Sequence, residues 1–66
     1  MGYLEKAERV VVRMTAEDRY KLRLYIHDCL SAAIKFDETR KPGYFVNMKD
    51  SMKKFLETLE QLEGKA

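Results

Sequence analysis

At 66 residues the chain has room for one small domain (1–66), and a domain of that size buries only a modest share of its surface. Hydrophobic residues make up 45% and charged residues 36%, and a net charge of +2 is too slight to argue for a polyanionic partner by itself. The single cysteine, Cys29, excludes an intrachain disulfide, and no apolar run reaches membrane-spanning length. The N-terminus also lacks the basic-then-apolar layout of a signal peptide, so a cytoplasmic protein without a membrane partner is expected. With no disulfide to staple so small a core, self-association is the expected source of added stability.

The first eight residues are ambiguous. Leu4, Ala7, Val11 and Met14 fall at helical spacing, so an amphipathic helix from Tyr3 onward is one reading. Against it stand Val10, Val11 and Val12, β-branched residues that lose side-chain freedom in a helix and suit a strand. In a strand over about 9–14, Val10, Val12 and Met14 face one way, and Arg9, Val11 and Arg13 the other. We favour the strand, which makes the chain strand, helix, helix; the alternative is a three-helix bundle.

The next element is a helix over about 16–36. Thr15 begins it, and Asp18 three residues later completes a Thr-x-x-Asp variant of the capping box. Leu22, Ile26, Cys29, Ala33 and Phe36 line one face, with Tyr25 and Leu30 at its edges, while Tyr20, Leu24 and Ile34 lie well outside that stripe. A helix apolar around so much of its circumference needs cover on more than one side, which points to a dimer or a bound partner. Asp37 to Gly43 is the break, with Pro42-Gly43 as turn punctuation. Asn47 is read as the cap of a second helix over about 47–63, whose stripe is Met48, Met52, Phe55, Leu56, Leu59 and Leu62. Lys49, Lys53 and Lys54 near this start and Glu57, Glu60 and Glu63 near its end oppose the helix dipole. That order is either a charge pattern that packing overrides or a basic helix start suited to a phosphate.

Taken together, R-V-V-V-R-M-T, then A-E-D-R-Y-K-L, then a second capped helix resembles the Arc-like ribbon-helix-helix repressors. The resemblance implies a homodimer in which each chain gives one strand to an antiparallel ribbon that enters the major groove of double-stranded DNA. It places Arg9, Val11 and Arg13 at the base-reading positions and turns Val10, Val12 and Met14 into the dimer core, with Leu22, Ile26, Phe55 and Leu59 behind them. It sets Asn47, Met48 and Lys49, with Lys53 one turn on, at the phosphate-contacting helix start. Arginine can bond both acceptors of a guanine edge, and valine can meet a thymine methyl.

Other chemistry is not legible. His27 has Asp28 and Cys29 beside it, but helix neighbours diverge, and no other residues supply zinc spacing. The glycines, at 2, 43 and 64, form no phosphate loop, and Ser31 and Ser51 lack a triad context. No enzyme activity, metal or cofactor is expected. The leading expectation is a sequence-specific DNA-binding homodimer acting as a transcriptional repressor or accessory factor. The alternative is a small helical interaction module, an inhibitor or adaptor, that docks on a larger protein.

Overall fold

A computed structural model describes residues 2–65. Among them there are three helices and no strand: α1 (Gly2–Arg13), α2 (Ala16–Thr39) and α3 (Pro42–Lys65). The expected strand over 9–14 and the ribbon-helix-helix fold are therefore overturned, and the three-helix alternative describes the chain.

The reason lies in where the backbone hydrogen bonds go. A strand here would find partners for its N–H and C=O groups only in a second chain, whereas a helix satisfies them within its own. Each valine costs a helix at most about 0.7 kcal/mol relative to alanine. Winding residues 2–13 into a helix also gathers Tyr3, Leu4, Ala7, Val10, Val11 and Met14 within about one third of the circumference. Val12 does not belong to that arc. It falls among Glu5, Glu8 and Arg9 and is 83% exposed.

α2 starts as the sequence indicates. The Thr15 N–H donates to Asp18 Oδ2 at 3.0 Å, and the Asp18 N–H donates to Thr15 Oγ1 at 3.1 Å, so the capping box is closed. Arg19 reaches back across the α1–α2 link and donates to the Met14 carbonyl at 3.3 Å. The helix ends on Arg40, whose left-handed backbone (φ 57°, ψ 23°) lets its N–H donate to the Phe36 carbonyl.

α3 begins five residues before the position expected. Pro42 opens the helix instead of marking a turn, because the first helical position needs no N–H and suits proline's fixed φ. The Lys41 N–H donates to Thr39 Oγ1 at 3.3 Å, and the Tyr44 N–H donates to the Lys41 carbonyl at 3.1 Å. Asn47 is thus inside the helix and caps nothing. Lys49, Lys53 and Lys54 stand beyond the first turn, where the N-terminal dipole no longer acts on them.

α2 and α3 pack antiparallel along a seam that repeats at alternating three and four residues. On α2 it runs through Leu22, Tyr25, Cys29, Ala32 and Phe36, and on α3 through Tyr44, Met48, Ser51, Phe55, Thr58 and Leu62. This is the coiled-coil spacing, which keeps one face of each helix on its partner over several turns. The middle of the seam is small: Cys29 at 6% and Ala32 at 8% exposure are the buried residues. Thr58 satisfies its hydroxyl by donating to the Lys54 carbonyl at 2.9 Å. α1 sits lightly on the open end of this hairpin. Val10 and Met14 are half-buried there, and Lys6 Nζ lies 3.3 Å from a Glu63 carboxylate oxygen. Both members of that pair are about half exposed, so it contributes less than about 1 kcal/mol.

Two substitutions test the helix ends by urea unfolding. Arg40→Gly removes the steric cost of a left-handed non-glycine residue and is expected to raise stability by about 1 kcal/mol. Thr15→Ala opens the capping box and is expected to lower stability by about 1 kcal/mol. A loss of stability in Arg40→Gly would contradict the left-handed cap.

Candidate functional site

The apolar stripe of α2 is wider than the seam that α3 covers. The stripe read from the sequence centres on Ile26 and Ala33, yet the residue buried at that level is Ala32. α2 is rolled so that Tyr25 and Ala32 face α3, leaving Ile26 and Ala33 half-buried on one edge. α3 is rolled in the matching sense. Ser51 and Thr58 turn inward, Met52 and Leu59 sit half-buried on the edge, and Leu56 is exposed.

In an antiparallel pair these two edges lie on the same side. One side of the hairpin therefore collects the apolar overflow of both helices: Ile26, Leu30 and Ala33 from α2, and Phe45, Met52 and Leu56 from α3. Ile34 continues it around α2. Leu30 is 57% exposed and Ile34 59%. The Phe45 ring leans on Phe36 across the seam, with centroids 5.7 Å apart, and still shows half its surface. The opposite side is polar. Asp28, Ser31, Lys35, Asn47, Asp50 and Lys54 line a shallow depression along it, and Lys21 and Gln61 flank a second one.

α1 extends the apolar side without closing it. Tyr3, Ala7 and Val10 of α1 and Met14 just after it meet Leu22 and Leu59 of the hairpin around a groove of about 400 Å³. Tyr3 and Val11 remain exposed at this groove, and Leu4 is exposed beside Tyr3 in the chain. The whole chain exposes 5523 Å², whereas a compact folded chain of this mass exposes about 4,400 Å². The surplus is roughly 1,100 Å².

The positions expected to touch DNA are not assembled into a site. On a helix Val11 stands some 200° around the axis from Arg9, so Arg9, Val11 and Arg13 share no face. Asn47, Lys49 and Lys53 are on the body of α3, away from any helix start. Of the residues expected in the dimer core, Val10, Met14, Leu22, Ile26, Phe55 and Leu59 are half-buried and Val12 is exposed. The structure brings Val10, Met14, Leu22 and Leu59 together at the α1 groove. Ala32, Ser51 and Thr58 were missed as seam residues; their small size at alternating three- and four-residue spacing is the signal that would have found them.

Among the described residues no group of three or more His, Cys, Asp and Glu side chains could hold a metal ion. His27 Nδ1 lies 3.9 Å from an Asp28 carboxylate oxygen, with both side chains largely in solvent. No described helix is long and apolar enough to cross a membrane. Comparison of the chain with protein-family models, with curated proteins and with solved structures gave no match.

Burial of Cys29 gives a direct readout of the seam. Its thiol should react with a disulfide reagent at least about a hundredfold more slowly in buffer than in urea, since opening the hairpin costs a few kcal/mol. Equal rates would mean that α2 and α3 are not packed along this line.

Proposed function

We propose that the chain is a small helical protein-interaction module that works by burying the apolar side of its hairpin against another polypeptide. The observation that supports this is the common roll of α2 and α3, which puts Ile26, Leu30, Ala33, Phe45, Met52 and Leu56 on one side, while Tyr20, Leu24 and Val46 are exposed elsewhere. Scattered surface hydrophobes are ordinary; a contiguous apolar side with a polar opposite is what interaction surfaces look like.

The chemistry of the surface favours protein over nucleic acid. DNA-binding faces are strongly cationic, because affinity comes from phosphates. Here the charges around the apolar side are mixed: Arg23 and Lys49 are set against Asp37 and Glu63. A mixed rim around an apolar centre is the usual anatomy of a protein–protein contact. The half-buried Met52 and the exposed aromatic side chains of Phe45 and Tyr3 adapt well to a partner's surface. The chain needs no reactive group for this role. It would act as an adaptor, inhibitor or assembly element.

A photo-crosslinking residue placed by turns at Leu30 and Leu56 on the apolar side, and at Ser31 and Lys54 on the polar side, tests the reading in cells that make the chain. All four positions are exposed, so the folded chain should tolerate the replacement. Adducts are expected from positions 30 and 56 and not from 31 and 54. Equal yields from the two sides, or none from the apolar one, would refute it.

A further inference from the structure

We infer that the polypeptide covering the apolar side is a second copy of this chain, packed α2 against α2 in antiparallel fashion about a two-fold axis through Leu30. The inference rests on the interaction reading above and names its partner. A two-fold contact needs a surface that is its own complement, with each residue and its mate exchanged between copies. The outer ridge of α2 has that property. It runs Arg23, Ile26, Leu30, Ala33, Asp37, with Ile34 alongside: four residues to either side of Leu30 stand isoleucines, Ile26 and Ile34, and seven residues to either side stand opposite charges, Arg23 and Asp37, while three residues away His27 answers Ala33.

Turning one copy end for end sets Leu30 on the partner's Leu30. Ile26 then lies against the partner's Ala33 and Ile34, and Arg23 against the partner's Asp37, with each contact made twice. The ridge repeats at alternating three- and four-residue steps, the spacing that holds two helices nearly in line at a crossing of about 20°. At that angle residues two turns from the axis still meet, so both ion pairs can form. Among the described residues neither Arg23 nor Asp37 has an ion-pair partner in its own chain. Arg23 instead lies over the Tyr20 ring, 5.7 Å from its centroid, on the same outer surface of α2. Met52 and Leu56 flank the ridge and enlarge the covered area. An unrelated partner would require no such symmetry in the α2 sequence; a second copy requires it.

Sedimentation equilibrium of the full chain is the test, with charge reversal as its probe. The wild-type chain should sediment at twice 7.8 kDa at micromolar concentration. Arg23→Asp and Asp37→Arg each set like charges together at both ends of the contact and should weaken association about fivefold. The double variant R23D/D37R should regain wild-type affinity. Mixing the two single variants should also regain it, because a mixed pair restores both ion pairs. Positions 23 and 37 are exposed, so these changes leave the fold of each chain alone.

A chain that sediments as a monomer overturns the inference. So does a dimer indifferent to both reversals, since its contact is then elsewhere. Crosslinked adducts from Leu30 and Leu56 whose mass is not that of two copies would remove the second copy while leaving the interaction reading in place. Absence of any such adduct would remove both.

Discussion

The structure depends on the small side chains at the middle of the α2–α3 seam. Cys29 and Ala32 on α2 face the level of Ser51 on α3, and small residues on both sides let two helices approach closely. Bulk is placed toward the ends, with Tyr25 and Phe36 on α2 and Phe55 and Tyr44 on α3. Once the small residues occupy the centre line, the roll of both helices is fixed. Ile26, Met52 and Leu59 cannot reach the seam and must stand on its edge. Burying a residue of that kind is worth about 1.5–3 kcal/mol, more than burying an alanine. A hairpin stabilised only by its own packing would gain by rolling the other way. The roll that is seen holds those side chains at a surface, where burying them against another molecule can still contribute that energy.

The same constraint accounts for the thinness of the core. The chain removes only about half of the surface that its extended form would expose, against roughly 60% for a typical chain of this size. α1 shows the consequence most clearly. A helix of 12 residues is marginal alone, and α1 buries no residue completely. It is tied down by the half-buried Val10 and Met14, by the Lys6–Glu63 pair and by the Arg19 bond to the Met14 carbonyl. Each of these is weak. Covering the apolar side next to it would bury more of the α1 stripe, so association and the ordering of α1 strengthen each other.

Much of this could be seen in the residues, and the misses have definite causes. The Thr15–Asp18 box marked the start of α2, since a cap is a local interaction between near neighbours. The excess apolar circumference of α2 was visible because it depends on periodicity alone. The start of α3 was misread because Asn47 resembles a cap, whereas Pro42, the stronger signal for a first helical residue, was taken as a turn. The valines at 10–12 were misread because β propensity describes a side chain on a paired sheet, and the described residues of this chain form no sheet to pair with. The roll of the hairpin was hidden for a different reason. Two overlapping stripes, Ile26–Ala33 and Tyr25–Ala32, fit the same helix, and only the facing helix decides between them.

On the interaction reading proposed above, the choice between helix and strand also sets what kind of partner the chain would suit. A strand at 9–14 would have placed Arg9, Val11 and Arg13 in a row, with affinity carried by charge on an exposed ribbon. As a helix, Arg9 and Arg13 keep one face, while Val11 turns to the opposite side and joins Val10 in an apolar stripe. On that reading the free energy of recognition would come from buried carbon more than from cations. It is concentrated where Leu30, Ile34, Met52 and Leu56 stand next to the α1 groove. Since the surface carries both signs of charge at its rim, orientation on a partner can be set by a few pairs such as those of Arg23 and Asp37. Burial supplies the affinity, and the charges supply the geometry.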